Sequence, residues 1–260
     1  MRAVLEAPGV KGLEVLRLPC DDDTNEKDAV TDLIRRIVVT ADPPVTSAFS
    51  VLNLGKVVEL FAAWRRGLKG VPPYYAVKCN PNPALLGALA ALGAGFDCAS
   101  PAEMDAVLAL GVAADRIIYA NPCKPEAHIQ HAASVGFDIT NSVEEVDKLR
   151  RFHPRCRLLL RLKVPDAGDA LLDLGTKYGA RQAEVAPLLC AAQSAGLSVS
   201  GVAFHVGSAV SRVGVYDAAV EAAARCSTPP PRAACHPCAS WTSAGASRPA
   251  PPPRSRTRAT

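Results

Sequence analysis

The sequence predicts an α/β fold with a parallel sheet, which is either an incomplete (β/α)8 barrel or a doubly wound sheet, and two observations lead to this prediction. Apolar runs with strand character alternate with helical patterns from about residue 48 onward, and glycine often stands at the junctions, as a helix C-cap requires. Polar residues recur at the C-terminal ends of the predicted strands, whereas apolar residues fill their starts. Such alternation is typical of right-handed βαβ units and therefore of a parallel sheet.

Helical patterns separate the predicted strands from one another. The predicted strands are the runs 73–79, 94–100, 116–122, 136–142, 156–164 and 199–207. Another helical period begins near Ala48 and ends near Gly70, whereas the mixed composition of residues 1–50 predicts short strands or coil. A closed barrel has about eight strands, so a barrel built from the visible strands alone would be incomplete.

The polar residues at the strand ends mark one face of the predicted sheet as the candidate site. These residues are Lys78, Asp97, Ser100, Asn121, Asn141, Arg161, His205 and Ser208. A barrel places its active site at this end of its strands, and a doubly wound sheet also binds ligands there. The pattern therefore predicts where the site lies without deciding between the two folds.

The formal net charge of +4 is unevenly distributed along the 260 residues. Residues 226–260 contain five arginines and no acidic residue, which leaves 24 basic and 25 acidic residues in the preceding part. The excess of positive charge therefore belongs to the C-terminal tail. The body of the protein carries no footprint of a nucleic-acid-binding surface.

The sequence favours a cytoplasmic protein without membrane spans. The N-terminus lacks the basic region, apolar core and cleavage site of a secretory signal, and no apolar run approaches the ~18 residues of a membrane helix. The apolar share of 49% is ample for a core, so the nine cysteines are not needed as disulfide staples. These features fit a reducing compartment.

Lys78 lies at the end of the first predicted strand, in the stretch PPYYAVKCNPNP, and two interpretations apply. A lysine at such a position often extends its amine to water or forms a structural ion pair. Alternatively, burial lowers the pKa of a lysine amine, which can then attack an aldehyde as a Schiff-base lysine. Pyridoxal phosphate (PLP) is the aldehyde cofactor held in this way. The second interpretation predicts a buried Lys78.

Three further polar positions accept both a structural and a functional interpretation. His205 alternates with apolar neighbours, as a core histidine does, but Gly207 and Ser208 follow it and suit a phosphate or a flat ring. Arg161 interrupts the run LLLRLKV and, as a buried cation, must find an anion. Asp97 is one source of that anion, or else the cap of the helix that begins at PAEM.

Several motifs together make the sequence resemble the eukaryotic ornithine decarboxylases, within the fold-type III, alanine racemase-like group of PLP enzymes. The motifs are AFSVLNLG, YYAVKCNPNP, GFDCAS, RIIYANPCK, LLLRL, LGTKYGA and GVAFHVGS, in this order, between about Ala48 and Arg225. Diaminopimelate and arginine decarboxylases carry runs similar to YAVKCN. FDCAS together with YANPCK is more specific for the ornithine enzyme.

The resemblance implies a role for each candidate residue. Lys78 is implied to be the catalytic lysine that carries PLP. The other cofactor-binding residues are implied to be Asp97 near the lysine, Arg161 in the cofactor pocket, His205 stacked on the pyridine ring and Ser208 at the phosphate. No metal ligand is implied.

The implied reaction is the decarboxylation of L-ornithine to putrescine, a step of polyamine biosynthesis. The family is a homodimer with shared sites, and Lys177 is implied to lie near the subunit interface. The glycine-rich phosphate loop GGG and the acidic motif EPGR, which the family carries after HVGS, do not occur here. The resemblance therefore predicts a chain whose activity and dimerisation are impaired.

Three alternatives to an ornithine decarboxylase remain open at this stage. The first is a non-catalytic, decarboxylase-like protein that binds regulators of polyamine metabolism. The second is a fragment of a diaminopimelate or arginine decarboxylase, and the third is a single-domain PLP carrier, which FDCAS fits poorly. Retention of both Lys78 and His205 favours the enzyme.

The resemblance also divides the chain into three parts. Residues 1–47 form an N-terminal segment corresponding to a strand and linker of the family's β-domain, and 48–225 form the partial PLP-binding barrel. The composition of 226–260, rich in proline, serine and arginine, predicts a disordered tail. Its CHPC run at 235–238 offers only three ligands to a metal such as zinc, which usually takes four, so no metal site is predicted.

Overall fold

The structure is a computed structural model of the chain. The structure describes residues 1–18, 26–135, 138–141, 145–164, 178–208, 210–227 and 240–244. These residues belong to two compact units. Unit 1 comprises Met1–Gly95 with Ala109–Gly111, and unit 2 comprises Phe96–Leu108 with Val112–Thr260. This division differs from the predicted boundary between residues 47 and 48.

Unit 1 is mainly helical. Its elements are α1 (Arg2–Leu5), α2 (Glu26–Thr40), α3 (Leu54–Gly67), the short strand β1 (Tyr74–Ala76) and α4 (Pro83–Leu92). The side chain of Asn53 caps α3 by accepting the N–H of Lys56 at 2.9 Å, and two arginines in the last turn complement the helix dipole. Local sequence signals therefore fix both ends of α3.

The N-terminal segment packs against α4 in a small apolar core. Its buried members are Val4, Ala7, Val10, Leu54, Ala84 and Ala88. Gly87 makes the close approach possible, because a Cβ at this position would overlap the carbonyl oxygen of Pro8. The contact between α4 and the chain near Pro8 therefore requires a glycine in the helix.

The prediction of short strands or coil in residues 1–50 is wrong, because α1 and α2 lie there. Helix α2 begins with Glu26 and Asp28 in its first turn, where acidic side chains favour the helix dipole. It buries Ala29 and Leu33, one turn apart on the same face. Tertiary burial of this narrow face stabilises a helix whose composition does not predict one.

Unit 2 contains the parallel sheet that the sequence predicts. Its strands are β2 (Gly95–Cys98), β3 (Ile117–Tyr119), β4 (Asp138–Asn141), β5 (Arg157–Leu162), β6 (Ser198–His205) and β7 (Ser240–Ala244). Each strand pairs in parallel with the next, so the spatial order equals the chain order. The helices are α5 (Pro101–Leu108), α6 (Glu126–Val135), α7 (Val146–Phe152), α8 (Gln182–Ser194) and α9 (Gly214–Ser227).

The two faces of β5 and β6 have different neighbours. Leu160, Leu162, Val202 and Phe204 belong to one buried cluster together with residues of α8 and α9. Successive side chains of a strand point to opposite faces, so residues 161 and 205 lie on the face away from these helices. The register places residue 161 opposite 203, which brings the two functional candidates to neighbouring positions.

The C-terminal tail differs from its prediction at two places. Helix α9 extends to Ser227, and Ser240–Ala244 forms β7 in parallel pairing with β6. The prediction of disorder is therefore wrong for these five residues, because they pair with β6. The prediction for the remaining tail, including CHPC at 235–238, concerns residues outside the described ranges.

Helices in the described ranges are all too short or too polar to cross a membrane.

Candidate active site

Lys78 lies in a single 3-10 turn, Val77–Cys79, directly after β1. Val77 is completely buried, whereas Lys78 is exposed. The strand ends at Ala76, so the chain has already left the sheet when it reaches the lysine. The prediction of a buried Lys78 is therefore wrong. Its exposure does leave the amine accessible to an aldehyde in solution.

The stretch that follows Lys78 is held by its two asparagines. The side chain of Asn80 accepts the N–H of Asn82 at 3.0 Å, and the side chain of Asn82 accepts the N–H of Ala84 at 2.9 Å. Asn82 is thereby the N-cap of α4, with Pro83 in the first helical position. The run NPNP therefore anchors the chain beside Lys78 to the start of α4.

Tyr75 supports the same turn from within β1. Its hydroxyl donates to the carbonyl of Asn80 at 3.4 Å. Burial raises the pKa of Tyr75 well above its ordinary value of 10, and a hydrogen bond with Cys79 adds to this effect. Tyr75 therefore stays neutral at physiological pH and acts as a hydrogen-bonding group at the turn.

Asp97 and Arg161 interact electrostatically within unit 2. Burial lowers the pKa of Arg161, and the negative charge of Asp97 opposes that effect. The Nε of Arg161 is buried and has no hydrogen-bond partner in the part of the chain that the structure describes. A buried guanidinium N–H in this state requires an acceptor, so Arg161 can take an anion in addition to Asp97.

Two residues that follow Asp97 in the chain cap the start of α5. The Ser100 hydroxyl accepts the N–H of Glu103 at 3.3 Å, and the Glu103 carboxylate accepts the N–H of Ala99 at 2.8 Å. Asp97 itself lies in β2, between the buried side chains of Phe96 and Cys98. From this position in the strand its negative charge acts on Arg161.

His205 is the last residue of β6, and its ring is held by the backbone that follows. The N–H of Gly207 donates to Nδ1 of His205 at 2.9 Å, so this nitrogen carries no proton in the bonded state. Gly207 has a φ of +96°, a conformation that favours glycine. The half-buried imidazole and the half-buried Ser208 are thus presented together at the end of β6.

The residues of unit 2 suit a phosphate-bearing, flat cofactor such as PLP. Arg161 offers a buried donor without a partner in the described ranges, and arginine recognises phosphate through its planar fork of N–H groups. The imidazole of His205 is a flat ring of fixed orientation, and Ser208 adds a hydroxyl. When bound, PLP would supply an electron sink that these side chains lack.

Lys124 was not a candidate from its sequence, but among the described lysines it is the one that is buried. Lys124 is 1% exposed, and burial lowers its pKa to about 7 against the attraction of Glu145. Its Nζ donates to the carbonyl of Asn121 and lies 5.2 Å from the centre of the Tyr119 ring. This amine is enclosed, so it is not accessible to a ligand in this conformation.

Charged residues at the start of α7 hydrogen-bond to the backbone of Lys124. The backbone N–H of Lys124 donates to the carboxylate of Glu145 at 3.2 Å, and Nζ of Lys148 donates to the backbone carbonyl of Lys124 at 2.8 Å. Glu145 is 4% exposed and pairs with Lys148 at 2.6 Å. The motif YANPCK was visible in the sequence, but the partners that bury its lysine lie more than 20 residues later.

Two other sequence-based expectations concern residues outside the described ranges. They are the position of Lys177 and the CHPC run at 235–238. Within the described ranges, no three side chains of histidine, cysteine, aspartate or glutamate are grouped as metal ligands.

Comparison with known proteins identifies the family. Residues 54–228 match the model of the "pyridoxal-dependent decarboxylase, pyridoxal binding domain" family, which covers more than half of the chain. The chain belongs to the pyridoxal-dependent decarboxylases. The predictions of an α/β fold with the parallel strands of this family's barrel domain, and of PLP as the family's cofactor, are thereby confirmed.

Named relatives within the pyridoxal-dependent decarboxylases differ in substrate. The chloroplastic ornithine decarboxylase of Nicotiana glauca is 48% identical over 199 residues, which cover 76% of this chain and 46% of the relative. The structure of the arginine decarboxylase of Paramecium bursaria Chlorella virus matches with a TM-score of 0.72 and 34% identity, and the match covers 75% of this chain and 53% of the viral enzyme's chain. A variant of SrLDC in complex with PLP has a TM-score of 0.69 and 36% identity, covering 81% and 52%.

The chain spans about half the length of the relatives that it matches. The family, the fold and the cofactor class therefore follow from the comparisons, whereas the substrate and the roles of individual residues remain predictions.

Proposed function

We propose that this chain carries the PLP-binding part of a decarboxylase that converts L-ornithine to putrescine in polyamine biosynthesis. The observation that carries the proposal is the arrangement in unit 2, where Asp97 acts on a half-buried Arg161 and His205 lies on the same face of the adjacent strand. The Nε–H of Arg161 has no partner in the described ranges, and the imidazole of His205 has a fixed orientation, so the two side chains can bind a phosphate-bearing aromatic cofactor.

Lys78 is the proposed catalytic residue, because its amine attaches the cofactor covalently. The four other candidates bind the cofactor. Arg161 lines the pocket, with its charge balanced by Asp97. His205 covers the ring face, and the hydrogen bond from Gly207 sets the orientation of its imidazole. Ser208 contacts the phosphate.

Identity to named relatives supports ornithine as the substrate. The ornithine decarboxylases of Nicotiana glauca, yeast and Caenorhabditis elegans are 48%, 45% and 42% identical to the matched part of this chain. The structural neighbours named as arginine and lysine decarboxylases are 34% and 37% identical. The proposed assembly is the family homodimer, and the proposed location is the cytoplasm.

A non-catalytic binding protein is the second candidate, and the exposure of Lys78 favours it. An exposed lysine is the ordinary state of a surface residue and requires no cofactor. Such a protein would bind a regulator of polyamine metabolism through its decarboxylase-like surface without holding PLP.

A PLP titration separates the two candidates. Added PLP should produce a protein-bound absorbance band in the wild-type chain that is lost in Lys78→Ala. Lys69→Ala is the matched control, since Lys69 is another exposed lysine of unit 1. A band that persists in Lys78→Ala contradicts the assignment of the lysine, and the absence of any band favours the non-catalytic binder. Release of labelled carbon dioxide from ornithine then measures the turnover.

A further inference from the structure

The segment Tyr178–Ala180 pairs with the C-terminal end of β5. The N–H of Ala180 donates to the carbonyl of Arg161 at 2.8 Å, and the N–H of Lys163 donates to the carbonyl of Ala180 at 2.9 Å. These two bonds form a parallel bridge between Leu162 and Ala180. The backbone of this segment is therefore tied directly to the residue that carries the candidate guanidinium.

Gly179 fixes how closely the segment approaches β5. It has a φ of +105°, and a Cβ at this position would lie 2.7 Å from the carbonyl group of Leu162 and from the nitrogen of Lys163. A side chain is excluded here both by the backbone conformation and by the neighbouring strand. Tyr178, the residue before this glycine, is consequently held at a fixed position beside Arg161.

The ring of Tyr178 lies against the Arg161 guanidinium. The central carbon of the guanidinium is 5.6 Å from the ring centre, within the range of a cation–π interaction. Tyr178 is 42% exposed, so burial in the core does not explain the position of its ring. The bridge through Ala180 and the attraction of the cation place the ring instead.

The contact with Tyr178 constrains the orientation of Arg161. An aromatic ring contacts the guanidinium while its N–H donors remain directed outward in the plane of the group. Asp97 attracts the same cation through its charge. Two different interactions, one from a ring and one from a carboxylate, therefore hold a side chain whose Nε has no hydrogen-bond partner in the described ranges.

We propose that Tyr178 is a positioning residue of the PLP site, which acts by holding the Arg161 guanidinium ready to bind an oxyanion of the cofactor. This inference rests on the proposed function, because it takes Arg161 as a cofactor-binding residue. Tyr178 itself does not need to touch the cofactor. Its ring, and not its hydroxyl, carries the role.

The effect on Arg161 can be measured without PLP. The Nε–H resonance of Arg161 is assigned by its loss in Arg161→Lys. In Tyr178→Phe this resonance should keep both its chemical shift and its slow exchange with solvent. In Tyr178→Leu the shift should move and exchange should accelerate at least severalfold, because the ring that fixes the guanidinium is gone. Unchanged exchange in Tyr178→Leu would overturn the positioning role.

The effect on the cofactor is measured by PLP titration of the same variants. We expect Tyr178→Leu to weaken PLP binding about fivefold and Tyr178→Phe to remain within about twofold of the wild type, as a cation–π contact of ordinary strength predicts. Tyr216→Leu is the control, because Tyr216 packs against the core of unit 2 on α9 and tests general destabilisation.

The outcomes of the titration separate the inference from the proposed function. Equal PLP affinity in the wild type and Tyr178→Leu overturns the inference while leaving the function intact. Equal weakening in Tyr178→Leu, Tyr178→Phe and Tyr216→Leu also overturns it, since the effect would then not depend on the ring. A wild-type chain that binds no PLP overturns the proposed function, and this inference with it.

Discussion

Single residues show that burial in this protein depends on neighbours that are distant in sequence. Lys78, which follows an apolar run, is exposed, whereas Lys124, which lies in the turn-like stretch NPCKP, is 1% exposed. The chain leaves β1 before it reaches Lys78, whereas Glu145 and Lys148, at the start of α7, hydrogen-bond to the backbone of Lys124. Local hydrophobicity therefore does not identify the lysine with the perturbed amine.

Lys124 should make the stability of the fold depend on pH. Its pKa is lowered to about 7 in the folded state by burial, from about 10.4 in an unfolded chain, so between these values the unfolded state binds more protons. The free energy of unfolding should therefore rise with pH through this window, by on the order of 2 kcal/mol between pH 7 and 9. The rise should be absent in Lys124→Met.

Urea unfolding at several pH values checks this prediction by the difference between variants. The difference between wild type and Lys124→Met should change with pH, whereas the difference for the exposed Lys69→Met should stay constant. The comparison stops near pH 9, because burial raises the pKa of Cys98 and of Tyr119 to about 12, and these groups lower stability at higher pH. A constant difference for Lys124→Met would show that the amine is charged in the folded state.

Helices and strands depend on close contacts as well as on propensity, and Gly87 in α4 is the clearest case. Alanine is a better helix former than glycine by up to about 1 kcal/mol, yet a Cβ at residue 87 would overlap the carbonyl oxygen of Pro8. We expect Gly87→Ala to detach the N-terminal segment and to increase proteolysis within residues 1–12. Protection by limited proteolysis measures this directly.

Gly67→Ala is the matched control for Gly87→Ala. Gly67 is the last residue of α3, and a Cβ there meets no atom within 4 Å. The substitution should leave proteolysis unchanged and stabilise the helix slightly. Equal behaviour of the two variants would mean that the contact between Gly87 and Pro8 does not hold the segment.

The sequence predicts the elements of unit 2 well because strand alternation and glycine junctions are local signals. Arg161 and His205 could be assigned to one face from the alternation of β5 and β6 alone. Helix α2 could not be predicted, since its last four residues, Ile37–Thr40, are all β-branched. The contact of Tyr178 with Arg161 was equally hidden, because a parallel bridge between residues 162 and 180 creates it.

At the scale of the whole molecule, α3 and the residue that follows it expose three large apolar side chains. Leu60 and Trp64 lie one turn apart on α3 and are 59% and 40% exposed, and Leu68, directly after the helix, is 47% exposed. Aligned exposed apolar side chains favour association. The purified chain should therefore self-associate as its concentration rises.

Light scattering of a surface variant checks this expectation. Replacing both Leu60 and Leu68 by glutamine should raise the highest concentration at which the chain is still monodisperse. Val213→Gln is the control, because Val213 is 78% exposed and belongs to unit 2, where it precedes α9. Equal association of both variants would place the interacting surface elsewhere.

The candidate residues are divided between the two units, with Lys78 in unit 1 and the four others in unit 2. The family match spans both units, from residue 54 to 228. The cofactor class is therefore better supported than the role of any one lysine, and the identity of the attached amine is the point on which the account depends.

The most direct test is to locate the cofactor on the chain. PLP-treated wild-type protein is reduced with borohydride, which traps the cofactor on its amine, and the modified peptide is then identified by mass spectrometry. We expect stoichiometric modification of Lys78, with Lys69 and Lys124 unmodified. Modification of Lys124 or of scattered surface lysines, with Lys78 left free, would contradict it.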